Sequence, residues 1–203
     1  MAHQPIEFDE FARLVLDALE AAQLDYLIGG AVAVWAWGEA RTTQDFDVVV
    51  DLPVSHITRL SEELAKRDML VPPDILLDLL LETRGDLPVN ALHLHSQFKA
   101  ELFLLRPSDE YRRASFPRRR LVNLGVAFGE VYVHSPEDLI LNKVYYFGLS
   151  RQTKHIRDIA SIIANMADDL DWVYIDEWAQ KLGLTEAWYE LLGEVDKLLG
   201  TQQ

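Results

Sequence analysis

Asp45 and Asp47 open the apolar run DFDVVVDL. Aspartate sits badly in a strand, and a buried carboxylate is costly unless it is paired or bound to a metal. A strand alternates its side chains, so the two aspartates share one face while Phe46 takes the other. Their α-carbons lie about 6.5–7 Å apart at the rise of a strand. Carboxylates so placed can reach one Mg²⁺ together, or share two ions about 3.5–4 Å apart. Without a cation they repel, and one tends to take a proton. For so short a pattern the plain alternative is an edge strand with a solvated polar face.

Upstream, Gly29-Gly30 separates the strand-like DYLI from the helix-like AVAVWAWG. At such a junction the backbone N–H groups and the helix N-terminus can receive phosphate, and glycine lets a ligand come close. Arg41 and Thr42 lie on the connection from the glycines to the aspartates. Arginine suits polyphosphate oxygens, and threonine suits a phosphate or a structural cap. His93 and His95 share a strand face and could bind a metal, line an acceptor pocket or stand half-exposed. His155 could meet a phosphate or solvent. Lys154, Arg157 and Asp158 read as surface ion pairs, and Trp35 and Trp37 as core residues or the border of a nucleobase.

The elements that must position these groups follow from periodicity. Phe8, Phe11, Leu14, Val15, Ala18 and Leu19 recur at helical spacing. DYLI predicts a strand, AVAVWAWG a buried helix closed by Gly38, and QDFDVVVDLP a strand ended by Pro53. Ser55 is a candidate cap for a helix to about Arg67, and PPDILLDLLLETRG predicts a helix with proline at its start and Gly85 at its end. NALHLHS and FKAELFLLRP predict two strands turning near Ser96-Gln97. RRLVNLGVAFGEVYVHS predicts two more, turning at Phe128-Gly129. From Ser135, a serine cap followed by proline, the chain reads as four helices ending at Leu199. The expected fold is α+β, a mixed twisted β-sheet flanked by helices over residues 1–134, with a helical C-terminal part over 135–203.

Composition narrows the function classes. Nearly half of the 203 residues are apolar, which suffices for a core. There is no cysteine, so thiolate metal sites and disulfides are excluded. No apolar run approaches membrane-spanning length and the N-terminus lacks a signal pattern, so a soluble, cytoplasmic protein without a membrane partner is expected. The net charge of −14 argues against a general nucleic-acid binder. Five arginines in YRRASFPRRR, Tyr111 to Arg120, form either a local anion patch or a solvated loop.

LIGGAVAVWAWGEARTTQDFDVVV resembles the signature of DNA-polymerase-β-type nucleotidyltransferases: apolar residues, Gly-Gly, a helix, then Asp-x-Asp on a strand. GEARTTQDFD is similar to the minimal bacterial members of that superfamily, including the AbiEii-like toxins, where an Arg-x-Thr-x-Asp-apolar-Asp run is typical. The resemblance implies a third carboxylate on a neighbouring strand. Glu101 in FKAELFLL takes that place, where aspartate is usual. VHSPEDLILNKVYYFG is similar to a family segment whose lysine contacts nucleotide phosphates, which Lys143 matches.

The resemblance implies transfer of a nucleoside monophosphate from an NTP. Asp45, Asp47 and Glu101 would be the metal ligands and catalytic carboxylates, with Mg²⁺ or Mn²⁺ as cofactor. Gly29, Gly30, Arg41, Thr42 and Lys143 would bind the nucleotide. It leaves open whether the acceptor is a tRNA end, a protein or a small molecule, and whether an antitoxin partner exists. Glu101 in place of aspartate leaves a second reading, an inactive nucleotide- or partner-binding module of the same fold.

Overall fold

The computed structural model describes residues 6–83 and 86–200. Helix α1 (Phe8–Ala21) buries Phe11, Val15, Leu16 and Leu19, and leads into β1 (Asp25–Ile28). Helix α2 (Gly30–Trp37) starts at the second glycine and stops at Gly38, as its sequence predicts. A loop then returns the chain to β2 (Asp45–Asp51), which pairs antiparallel with β1. Helices α3 (Ile57–Ala65) and α4 (Pro73–Leu81) follow. Ser55 does not cap α3: it falls in a 3-10 turn, Val54–His56, and its hydroxyl lies 3.1 Å from His56 Nδ1. Helix α4 ends at Leu81, and Gly85 lies outside the described residues.

Strands β3 (Val89–Leu92) and β4 (Lys99–Leu104) form the first expected hairpin. After α5 (Glu110–Ser115), strands β5 (Arg120–Asn123) and β6 (Glu130–Val133) form the second. The chain closes with α6 (Pro136–Ser150), α7 (Thr153–Met166), α8 (Trp172–Lys181) and α9 (Thr185–Gly200). The strands make one mixed sheet in the order β3-β4-β2-β1-β6-β5, with β2 parallel to β4 and β1 parallel to β6. Helices α1 and α3 pack together, and α2 meets both α6 and α7. One apolar core runs from Phe11 and Leu16 on α1 through Val48 and Val50 on β2 to Leu139, Ile159 and Trp188. No helix among the described residues is long and apolar enough to cross a membrane.

The arginine-rich stretch is structural. It folds as α5 and a 3-10 turn, Phe116–Arg118, and its cations face carboxylates. Arg112 pairs with Asp86 and Asp109, each at 2.7 Å. Arg118 pairs with Glu137 at 3.1 Å and Asp138 at 3.2 Å, while Arg119 reaches Asp25 at 3.1 Å. Three of the five arginines therefore join segments of the fold and do not form an open anion patch.

Asp138 is the centre of this joining. It is completely buried, and its carboxylate accepts from Ser135 Oγ at 2.8 Å, Tyr174 Oη at 2.7 Å, Tyr111 Oη at 3.1 Å and Arg118 Nε at 3.2 Å. Ser135 in turn caps α6 by accepting from the Asp138 N–H. Burial drives the Asp138 pKa up, with the bonds from Tyr174 and Ser135 acting against it. Removing one partner of a buried pair leaves the others desolvated and uncompensated. Asp138→Ala should therefore cost about 3–5 kcal/mol in urea unfolding, and Asp138→Asn, which keeps the volume and one acceptor, clearly less. Equal losses for the two variants would contradict this account.

Candidate active site

The period of two along the strands builds the site. Phe46, Val48 and Val50 enter the main core, while Val49 takes the opposite face and packs with Leu27, Phe103, Leu105 and Phe116. Asp45 and Asp47 share the face of Val49, as Lys99 and Glu101 share that of Phe103. In the parallel register Asp45 stands beside Lys99 and Asp47 beside Glu101. The strand face is thus apolar further along and charged at its start. A cleft of about 390 Å³ opens over it and takes in Gly29, Gly30, Arg41, Asp45, Asp47, Glu101 and Lys143. Seven of the eight residues expected at a site are brought together; Thr42 is not on the wall. Thr43 is, and it is the threonine that fits the Arg-x-Thr-x-Asp run; its hydroxyl lies 3.1 Å from the Asp45 carbonyl oxygen and 3.3 Å from its nitrogen.

The two glycines do different work. The Gly29 N–H donates to the Asp47 carbonyl at 2.8 Å, so it is engaged and not open to a phosphate. Gly30 has φ +58°, a conformation that favours glycine, and a methyl group there would overlap the Asp47 carboxylate. The Asp47 side chain therefore rests on the start of α2. The first N–H groups of a helix have no partner within it, and Gly30 and Ala31, at the start of α2, line the cleft.

The carboxylates crowd one another. Burial, then the charge of Glu101, raises the Asp47 pKa to about 6; Asp45 and a hydrogen bond with Glu101 add to this, and Lys143 opposes it. Glu101 also meets Lys99, whose Nζ is 2.6 Å from Glu101 Oε1 and 3.4 Å from Asp45 Oδ1. The donor set is all oxygen and short of positive charge, which fits Mg²⁺ or Mn²⁺ in kind. Yet among the described residues no three acidic or histidine side chains converge as a ready-made metal site. Two of these carboxylates are drawn to the Lys99 ammonium.

Across the cleft, Asp158 holds two cations. Lys143 Nζ donates to its Oδ2 at 2.7 Å, while Arg41 donates from Nε at 2.8 Å and from Nη2 at 3.2 Å. Asp158 is 2% exposed and Lys143 5%, so Asp158 is no surface ion pair. Burial works against its charge, but Arg41 and Lys143 hold its pKa below the ordinary value. Burial pulls Lys143 down, and Asp158 opposes that. The sequence carried no signal for this triad, because Arg41 and Asp158 are 117 positions apart.

The histidines divide otherwise than their spacing suggests. His155 is buried, lines the cleft and stacks on Tyr146 at 6.4 Å. Burial, then Lys143, lowers its pKa to about 4. His134, which sequence reading passed over, lines the cleft beside Gly29, and burial lowers its pKa to about 3. His93 is buried against Phe11 and bonded to Ser96 at 3.0 Å, and His95 lies 3.7 Å from Asp68; neither lines the cleft. The Trp35 indole donates to the Arg41 carbonyl and that of Trp37 to the His134 carbonyl, so both tie down backbone beside the site.

No protein-family model and no curated protein matches the sequence. Solved structures do match the fold. A solution structure of the antibiotic-resistance factor ANT(2'')-Ia superposes with a TM-score of 0.61 at 16% identity, over 91% of this chain and 99% of that one. A crystal structure of ANT(2'')-Ia in complex with adenylyl-2''-tobramycin gives 0.53 at 17%, over 94% and 98%. An antigenic nucleotidyltransferase-like protein from Paracoccidioides brasiliensis gives 0.52 at 18%, over 89% and 91%. The chain therefore has the α+β fold of these nucleotidyltransferases.

Two expectations follow from the charges. A carboxylate whose pKa rises from 3.8 unfolded to about 6 folded contributes stability that is present below 3.8 and lost as pH rises through 6. Asp47→Asn should thus raise the melting temperature of the metal-free protein by a few degrees above pH 6, with the gain gone below about pH 4. A thermal-shift series in EDTA reads this directly, and a gain that grows on acidification would refute it. Asp158→Ala should cost about 3–5 kcal/mol in urea unfolding, since it leaves Lys143 buried and unpaired. Adding Lys143→Met should recover part of that loss; strictly additive losses would show that the two are not coupled.

Proposed function

We propose that the protein transfers a nucleoside monophosphate from an NTP to an acceptor hydroxyl, with Mg²⁺ or Mn²⁺ held by Asp45, Asp47 and Glu101. One observation carries this reading: three carboxylates, with Arg41 and Lys143 held together by Asp158 behind them, line the same cleft as the Gly30 turn. An ion held by the carboxylates would offset phosphate charge and make the acceptor hydroxyl more acidic.

The chain's own groups do the rest. Gly30 and Ala31 N–H groups donate to phosphate oxygens at the start of α2. Lys143 and Arg41 share one carboxylate, so the triad keeps a net positive charge for the β- and γ-phosphates. The acceptor oxygen bonds to the α-phosphorus as the bond from that phosphorus to the pyrophosphate oxygen breaks. Glu101 receives the hydroxyl proton, and the departing pyrophosphate carries its charge toward Lys143 and Arg41. No covalent enzyme intermediate is required.

The acceptor follows from the wall charges. The only acidic residues on the cleft wall, among the described residues, are Asp45, Asp47 and Glu101. ANT(2'')-Ia is seen with an adenylylated tobramycin, a polycation. In this chain no further acid on the described cleft wall is set out for such a molecule, and Lys154 also lines the cleft. We therefore favour a hydroxyl on a neutral or anionic acceptor: a tRNA end, a protein or an uncharged small molecule. The relation to AbiEii-like toxins with an antitoxin partner rests on the Arg41–Asp47 run alone. The ion pair of Glu101 with Lys99 is what favours the second reading, a binding module without turnover.

The test incubates the protein with each α-labelled NTP, Mg²⁺ and, in separate arms, total tRNA, cell extract or tobramycin. Label should move in the tRNA or extract arm and not to tobramycin. Asp45→Ala and Asp47→Ala should each lower transfer by at least about a hundredfold. No transfer by the native protein, with NTP binding unchanged in both variants, would end the enzymatic reading.

A further inference from the structure

Lys99 has no role in the chemistry described so far, yet its ammonium lies within the carboxylate group. It sits two positions before Glu101 on β4 and directly beside Asp45 in the parallel register, so backbone pairing keeps it on the site's face. Its Nζ is 2.6 Å from Glu101 and 3.4 Å from Asp45, and both carboxylates raise its pKa, Glu101 first. Its side chain is 34% exposed, against 23% for Glu101, so it has a path to solvent while Glu101 stays in the cleft. A hard divalent cation would seek the same oxygens.

We propose that Lys99 is a tethered counter-cation of the site: it occupies Glu101 and Asp45 in the metal-free protein and must leave Glu101 before a divalent ion is held there. Lys99 thereby sets metal affinity. The inference rests on the metal-dependent reading above and adds a competitor to it. The Lys99–Glu101 pair is part-buried and joins two residues of one strand, and the β2–β4 register continues without it through Val48, Val49 and Val50. Like-charge crowding explains the lysine: an ammonium between Glu101 and Asp45 offsets part of the negative charge gathered at the start of the two strands.

The test measures Mn²⁺ binding to the nucleotide-free protein by the electron paramagnetic resonance signal of the free ion, independent of any turnover. Lys99→Met should bind Mn²⁺ about tenfold more tightly than the native protein, and Lys99→Arg should stay within about twofold of it. Circular dichroism melts of each variant confirm folding. Asp47→Ala should lose the bound ion and marks the site. Unchanged or weaker Mn²⁺ binding in Lys99→Met, with Asp47→Ala still losing the ion, overturns the role of Lys99 and leaves the metal site standing. Native-level binding in Asp47→Ala, or no binding in either the native protein or Lys99→Met, overturns both.

Discussion

The Asp47 carboxylate lies against the backbone of Gly30 with no room for a methyl group between them. That contact, with the bond from the Gly29 N–H to the Asp47 carbonyl, fixes where α2 begins relative to β2. It sets the distance between helix N–H groups and carboxylates, the two sides on which a nucleotide and a cation would be held. Everything else at the cleft is arranged around a buried charge that the sheet alone cannot stabilise. A single strand face therefore carries apolar residues where it is covered and acids where it opens.

Charge compensation then explains residues that otherwise look unrelated. Asp158 matches Lys143 and Arg41 on one side of the cleft, and Lys99 matches Glu101 and Asp45 on the other. Asp138 does the same beneath the site, where Arg118 and two tyrosines meet the cap of α6. In each case a carboxylate joins segments distant in sequence, and a hydrogen-bonded charge is what makes its burial affordable.

Much of this was legible in the residues. Alternation along DFDVVV placed the aspartates on one face, and the glycine pair marked the start of α2 because a helix beginning at positive φ needs glycine there. The Ser135-Pro136 start of α6 followed from capping chemistry. What was not legible depends on register or on long-range packing. Thr42 and Thr43 are adjacent and chemically alike, and the path of the loop puts Thr43 on the cleft wall, the position that the Arg-x-Thr-x-Asp spacing also picks. Asp158 reads as one more charge on a polar helix face until α7 docks on α2 and brings Arg41 to it. The arginine cluster reads as an anion patch or a solvated loop because its acids, Asp25, Asp86 and Glu137, are remote in sequence.

The same logic accounts for the incomplete convergence of the carboxylates. Three acids fixed around a common point with no cation would repel one another, as Glu101 and Asp45 already add to burial in raising the Asp47 pKa. Letting Asp45 and Glu101 turn to Lys99 lowers that cost, while Asp47 stays against Gly30. Glutamate at position 101 serves this better than aspartate, since its extra methylene lets one side chain meet both Lys99 and Asp47. The departure from the usual aspartate is then the counterpart of the lysine beside it. An aspartate there would sit nearer its own backbone and could not reach the ammonium as easily, so positions 99 and 101 are best understood as one unit.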